Sequence, residues 1–339
     1  MTVPRPSPSV LPVRILGTGR ALPSRVVPTA EVAALCDPSG GLTAEAAEAR
    51  TGVRERRWLS GTETALTLGA QAALNALSAA NVELQEIDVL LNASGSQAQP
   101  IPDGGALLAR ELGLSGRAAY SLHGTCLSFL LALQHASLLI ASGQAARVLI
   151  VSTEGGSVGL NLTQPESALL IGDGAAAVLL GPAVRSGQGL HAARIETYPE
   201  GAEHTRIRAG GSLLNARSPG IQDQDYLFDM QGLGILKLAS RVVPAFLERL
   251  RPGLSTGLPG ISRVIPHQAS KVGLDLLRRY NWPEDRVEVT LPTLGNVIAA
   301  SLPLTLHQAL TAGRAGEGDT VLMVGTGAGL TAGGLILEF

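Results

Sequence analysis

Cysteine is nearly absent: Cys36 and Cys126 are the only two in 339 residues. With no Cys-x-x-Cys pair and no Cys/His cluster at zinc spacing, the pattern excludes a disulfide framework and predicts no metal site in a reducing compartment. Aromatics make up only 3% and charged residues 16%, against 45% hydrophobic residues. That balance excludes a disordered chain and suits closely packed helices and strands. Lysine is scarce too, and a net charge of −2 leaves no basic field to hold nucleic acid or an anionic membrane. The longest apolar run, Leu127 to Ala141, is interrupted by Gln134 and His135 and is too short to span a bilayer. Residues 1–10 carry no apolar signal core and read as a short frayed tail, so a cytoplasmic location is expected.

What the chain does contain is a second copy of part of itself. Tyr120 to Cys126, a helix from Leu127 to Ser142, Gly143 and a strand from Arg147 to Ser152 correspond to Val287 to Asn296, Val297 to Ala312, Gly313 and Thr320 to Gly325. Cys126 stands 17 residues before Gly143, and Asn296 stands 17 before Gly313. An upstream pair, Ile87 to Ser96 and Ile261 to Ser270, extends the match and places His267 just after a strand. The length allows two domains or one duplicated unit, and the repeat favours the second. The expected halves are 1–182, holding Cys126, and 183–339, holding His267 and Asn296.

Hydrophobic periodicity predicts strands at Val13 to Gly17, Ile87 to Asn92, Ala118 to Leu122 and Ala175 to Leu180. A capping box at Ser60 and Glu63 predicts a helix running to Ala80, and Asp103 one that stops at Gly113. The helix after Cys126 is apolar nearly all round, which predicts a central position. Helix, strand and helix return at 233–250, 263–265 and 269–280. Between about 198 and 232 Gly, Ser, Arg and Asp dominate, and so long an irregular stretch predicts a cap over a site rather than a linker. Alternating strands and helices predict an α/β fold with largely parallel sheets, whose strand ends carry the site.

A cysteine at the first turn of a buried helix faces the positive end of the helix dipole and unpaired N–H groups, which favour the thiolate. The same N–H groups can hold an oxyanion. The plainer reading of Cys126 is a small buried hydrophobe. His267 ends a strand, where it points into a pocket or serves as a hydrogen-bonded core histidine. Asn296 suits a helix cap, a position that also aims its amide opposite the cysteine. The glycine-rich Val324 to Gly333 follows a strand, yet too little chain remains for a dinucleotide fold; a tight turn completing an oxyanion hole is the better use. A papain-like protease also orders Cys, His and Asn, but its flanking motif is missing and a duplicated sheet does not suit it.

With these residues in place the chain resembles β-ketoacyl-acyl-carrier-protein synthase III, a family of thiolase-like condensing enzymes. The resemblance rests on Ile15 to Gly19, Arg50 to Arg56, Cys126, Gly172 to Ala175, Pro266 to Ala269, Gly295 and Asn296 with Ala299 to Ser301 and Pro303, and the final glycine-rich turn. These run in order along nearly the whole chain. The resemblance implies a thiolase-like, five-layered αβαβα fold made of two duplicated halves. It implies that Cys126 takes an acyl group from a thioester, while His267 and Asn296 donate hydrogen bonds to the carbonyl oxygen of a malonyl thioester as carbon dioxide leaves. The N–H groups of Cys126 and Ala328 would hold the acyl oxyanion. Substrates would arrive on the phosphopantetheine of coenzyme A or of an acyl carrier protein, with no resident cofactor or metal. Arg50, Gly232 and Ser270 would line the carrier's path, and Ile101 would reach the acyl pocket of the partner in a homodimer.

The departures from the family pattern bear on substrate. No aromatic occurs from Asp37 to Ala49, where a tryptophan ordinarily stacks on adenine, and no second arginine stands near Pro165. His123, Gly124 and Thr125 replace small residues before the nucleophile, Leu294 replaces a histidine, and no glutamate stands near Ile101 as in the olefin-pathway relatives. His123 is open to two roles, tuning the thiol or a structural hydrogen bond. Two other functions stay open: a same-fold acyltransferase acting on a hydroxyl or amine of a specialised metabolite, and a non-catalytic paralogue that binds acyl carriers.

Overall fold

The computed structural model describes residues 10–339, so nearly all of the expected N-terminal tail lies outside the described residues. Strands β1 (Val13–Ala21), β2 (Val89–Asn92), β3 (Ala118–Ser121), β4 (Val148–Glu154) and β5 (Gly174–Pro182) form one sheet in the order β1-β5-β4-β2-β3. Strands β6 (Gly189–Thr197), β7 (Arg263–Pro266), β8 (Thr320–Gly327) and β9 (Thr331–Glu338) form a second, β7-β8-β9-β6. Laid side by side, the orders match: β2, β4, β5 and β1 correspond to β7, β8, β9 and β6. The counterpart of β3 shrinks to a single bridge between Val264 and Val287.

The sheets are mixed, which corrects the expectation of largely parallel ones. Only β3-β2-β4 and β7-β8 run parallel; β1-β5, β5-β4, β8-β9 and β9-β6 are antiparallel. The glycine-rich turn explains one case. It joins β8 directly to β9, and so short a connection can only reverse the chain.

Six helices complete the layers: α1 (Ala65–Ala80), α2 (Gly104–Leu112), α3 (Ser128–Ala141), α4 (Gly232–Leu250), α5 (Lys271–Leu277) and α6 (Ser301–Thr311). The central layer is α3 with α6. One core cluster joins Phe129 and Leu133 of α3 and Leu302 and Leu306 of α6 to Ile150 and Val178 of the first sheet and Met323 and Leu335 of the second. Each such side chain stabilises the fold by about 1.5–3 kcal/mol when fully buried. Alanines 72, 73 and 76 of α1 pack on the outer face of the first sheet, against Leu90, Leu149 and Leu179. Val243, Phe246 and Leu250 of α4 cover the outer face of the second, against Leu322 and Ile336. The stack is therefore helix, sheet, helix, sheet, helix, and the all-round apolar character of α3 follows from its two-sided burial.

Helix α1 starts later than its sequence signal. Ser60 and Glu63 do bond to each other, but the cap is Thr64, whose hydroxyl accepts from the Thr67 N–H at 3.1 Å while Thr67 Oγ1 accepts from the Thr64 N–H at 3.0 Å. Two consecutive turns carried similar chemistry, and the helix took the one nearer its apolar stripe. No helix among the described residues is long and apolar enough to cross a membrane.

Candidate active site

Cys126 sits in a 3-10 turn, Thr125–Leu127, that leads into α3. Thr125 has a left-handed φ of 52°, which a β-branched residue adopts only when its surroundings force it. Here Ser128 does so: its hydroxyl accepts from the Gly124 N–H at 2.9 Å and donates to the Thr125 carbonyl at 2.8 Å. The second half repeats the device. Ile298 has a φ of 44°, and Ser301 Oγ accepts from the Val297 N–H at 3.0 Å. These turns align Cys126 with Ala299, and Asn296 with His123, three residues away from the match read from the helix ends. The reason is that α6, at 11 residues, is shorter than α3, at 14.

His267 follows β7, its N–H bonded to the Val324 carbonyl of β8 at 2.8 Å. The next residue ties this strand end to the loop that leads to Asn296. Gln268 is fully buried; its amide donates to the carbonyls of Pro266 and Glu288, and its oxygen accepts from the N–H groups of Thr290 and Leu291. Asn296 is held from the front half: its N–H donates to the Leu170 carbonyl at 2.7 Å and its carbonyl accepts from the Gly172 N–H at 3.0 Å. That approach needs a glycine before it, because a Cβ on Gly295, whose φ is +67°, would stand 2.4 Å from the Leu170 oxygen. The Asn296 side chain accepts from the Ile298 N–H at 2.9 Å and donates to the Ala269 carbonyl at 3.3 Å. One amide hydrogen remains for a ligand.

Cys126, His267 and Asn296 line a single cavity of about 510 Å³. The N–H groups of Ala328 and of Cys126 itself are directed at the sulfur. Arg50, Gly232 and Ser270 line the same cavity, as do Gly201, Thr205, Phe228 and Met230 from the irregular stretch before α4. Arg50 stands exposed and paired with Glu166 at 3.3 Å. Ile101 does not line the cavity of its own chain and is 88% exposed. His123 places Nε2 3.1 Å from the Gly95 carbonyl, away from the cavity lining.

The electrostatics differ from the helix-dipole expectation. Burial pushes the Cys126 thiol up to about 12, and the Glu154 carboxylate adds to the rise, outweighing the two N–H groups that favour thiolate. Burial likewise holds His267 down at about 4, so its imidazole is neutral at pH 7. Its Nδ1 is buried without a partner.

Two site residues escaped the sequence reading. Glu166 supplies a negative charge beside Arg50, and nothing in its Pro-Glu-Ser context marks it. Glu154 is fully buried and is pushed up to about 7 by burial, against N–H groups of Gly95, Ser96 and Ala299 that favour its charge. An acid ending the otherwise uncharged strand Val148–Glu154 was its available signal.

Comparison with known proteins bears on the family and the fold. The family model described as 3-oxoacyl-[acyl-carrier-protein] synthase III matches residues 120–199, and the model of that family's C-terminal region matches residues 256–339. The β-ketoacyl-[acyl-carrier-protein] synthase III of Symbiobacterium thermophilum is 32% identical over 333 residues, covering 97% of this chain and 99% of that one. The crystal structure of 3-oxoacyl-[acyl-carrier-protein] synthase III from Aquifex aeolicus superposes with a TM-score of 0.85 at 28% identity, covering 96% of this chain and all of the other. A priming β-ketosynthase from a polyketide biosynthetic pathway gives 0.86 at 27% identity, covering 99% of this chain and 98% of that one. The chain, with its thiolase-like fold, belongs to the β-ketoacyl-[acyl-carrier-protein] synthase III family.

Proposed function

We propose that Cys126, His267 and Asn296 carry out a decarboxylative Claisen condensation between an acyl thioester and a malonyl thioester. The observation that supports this most is their meeting in one cavity with the Ala328 N–H aimed at the sulfur. In the first step Cys126 Sγ attacks the acyl carbonyl, its proton passes to the departing carrier thiol, and the N–H groups of Cys126 and Ala328 hold the oxyanion. In the second, His267 and Asn296 donate to the carbonyl oxygen of the malonyl thioester. Carbon dioxide leaves, and its bonding electrons remain as an enolate. The enolate carbon attacks the acyl-cysteine, and the sulfur departs as thiolate and is reprotonated from solvent.

A neutral imidazole serves this role, since it keeps an N–H to donate without holding the carboxylate back as an ion pair. Arg50, Gly232 and Ser270 border the way in for a phosphopantetheine arm carried by an acyl carrier protein or coenzyme A. No resident cofactor is needed, because the thioesters bring the reactive groups. The exposed Ile101 suits insertion into a second copy of the chain, as a homodimer requires. Two free cysteines fit the reducing cytoplasm.

The test is to mix the protein with acyl and malonyl thioesters and follow carbon dioxide and 3-oxoacyl product. Intact-protein mass spectrometry should show an acyl adduct that Cys126→Ala abolishes. Equal loading of both proteins would remove the nucleophile assignment, and an adduct that transfers only to a hydroxyl or amine would replace condensation with acyl transfer.

A further inference from the structure

The mouth of the cavity carries two aliphatic side chains and one ion pair. Leu233 and Val272 line it and are 85% and 47% exposed. Arg50 and Glu166, both partly exposed, are the only lining residues among those described that carry charge at pH 7, and they pair with each other at 3.3 Å. The backbone holds Glu166 in that place. It belongs to the short helix Pro165–Ala168, where the buried Ser167 donates to the Gln164 side-chain oxygen at 2.9 Å, and the same oxygen accepts from the Met230 N–H at 3.0 Å. Two basic residues just outside the lining also have carboxylate partners: Lys271, next to Ser270, pairs with Asp275 at 2.8 Å, and Arg206, next to Thr205, lies 3.6 Å from Asp229. Lys237 and Arg279 adjoin lining residues in sequence but do not line the cavity themselves.

The lining therefore meets an arriving thioester with one guanidinium that a carboxylate already holds. The two candidate carriers bring different charges to it. A carrier protein presents its pantetheine arm through a single phosphodiester, and its own surface can cover Leu233 and Val272. Coenzyme A brings a diphosphate and a ribose phosphate on a nucleotide, and each of these anions is repelled by the Glu166 carboxylate. Arg50 can turn to one phosphate, but it cannot balance several while Glu166 stands beside it.

We propose that this mouth selects thioesters borne on a carrier protein over those of coenzyme A, and that Glu166 sets the preference. The inference rests on the acyl loading of Cys126 in the reading above. It concerns the mouth alone, through which every thioester passes, so it holds for the acyl and the malonyl substrate alike. Because the repulsion scales with the number of phosphates near the carboxylate, discrimination grows with the charge of the carrier and weakens with salt.

The experiment offers the full chain one acyl group, butyryl, on pantetheine, phosphopantetheine, coenzyme A and an acyl carrier protein, and follows the second-order rate of acyl-Cys126 formation by mass spectrometry. In the wild type the carrier protein should load about tenfold faster than coenzyme A or more. Glu166→Gln should raise the ratio of coenzyme A to pantetheine loading by about fivefold at low salt, raise the ratio of phosphopantetheine to pantetheine by less, and lose most of both gains in about 0.5 M salt. Ratios taken within one protein cancel any partial loss of folded material, and the wild-type comparison needs no variant. Wild-type loading from coenzyme A that equals or exceeds loading from the carrier protein overturns the inference, as does a Glu166→Gln ratio that stays unchanged or ignores salt. Failure of every thioester to load Cys126 defeats the nucleophile reading and this inference with it. Loading in the expected order with no carbon dioxide released from malonyl thioesters defeats condensation alone.

Discussion

Replacing Gly327 with alanine tests whether the gap between two backbone turns holds the acyl oxyanion. Gly327 ends β8 immediately before Ala328, and a Cβ there would lie 2.8 Å from Thr125 Oγ1, 3.4 Å from Leu127 Cγ and 3.5 Å from the Cys126 nitrogen. None of these neighbours yields easily. Thr125 is β-branched, holds a φ of 52°, and has a buried hydroxyl with no partner to reward a new rotamer. Leu127 is fully buried. The added methyl therefore wedges the Ala328 turn away from the Cys126 turn. Overpacking of this kind costs about 1–3 kcal/mol of stability. Its larger effect is on acyl loading, because the two N–H groups lie on opposite sides of the wedge and losing one oxyanion donor slows reaction by about 100-fold or more. Time-resolved mass spectra of the acyl-Cys126 adduct measure this directly. Gly316→Ala is the control, since a Cβ there meets nothing within 4 Å. A folded Gly327→Ala protein that loads within about threefold of wild type would refute the oxyanion geometry.

Asn296→Ala should spare acyl loading while decarboxylation of the malonyl thioester falls about 100- to 1,000-fold, as loss of one donor predicts; parallel loss of both steps would place Asn296 in the nucleophile turn instead. His267 gives a stability signature. Its folded value of about 4 lies below the unfolded 6.5, so the unfolded chain binds the extra proton between them and stability falls as pH drops from about 6.5 to 4. The full swing is about 3 kcal/mol, and urea unfolding of His267→Gln, compared with wild type across that window, should lack it. Arg50→Ala should raise KM for carrier thioesters with little change in kcat or stability, because its exposed pair with Glu166 is worth at most about 1 kcal/mol. A fall in kcat alone would remove Arg50 from the carrier's path.

What the sequence disclosed was set by how local each cause is. Helix α2 was legible at both ends because Asp103 and Gly113 are themselves the caps, the one accepting from the Gly105 N–H and the other taking a left-handed φ of 69°. That Cys126, His267 and Asn296 stand at element ends was legible through the repeat, and the structure brings the three to one cavity. The register of that repeat was not, because three residues missing from α6 leave the helix end aligned and the helix start displaced. Strand direction failed for a related reason: alternation of strand and helix fixes only the order of elements along the chain, while antiparallel pairing of β5 with β4 is a contact across the sheet. For the thiol only the local part was legible: N–H groups at the helix start favour the thiolate, whereas burial and the Glu154 charge, which oppose it, come from residues brought in by the fold.

Glu154 marks a difference between the two matching sheets. It occupies in β4 the place that Gly327 holds in β8, as the matching registers Val89 with Val148 and Arg263 with Val321 establish. In the second half that place leads to the Ala328 N–H, which with the Cys126 N–H is directed at the sulfur and, on the reading proposed above, forms a seat for the acyl oxyanion. In the first half the Glu154 carboxylate itself accepts from the N–H groups of Gly95, Ser96 and Ala299, and Ala299 is the counterpart of Cys126. The second anion seat is thus filled from within by a side chain. A buried carboxylate tolerates this only because backbone donors surround it, and even so burial keeps it up at about 7. Burial and then this same charge raise the Cys126 thiol, so that, on the condensing reading proposed above, the sulfur stays protonated until a departing thiol receives its proton.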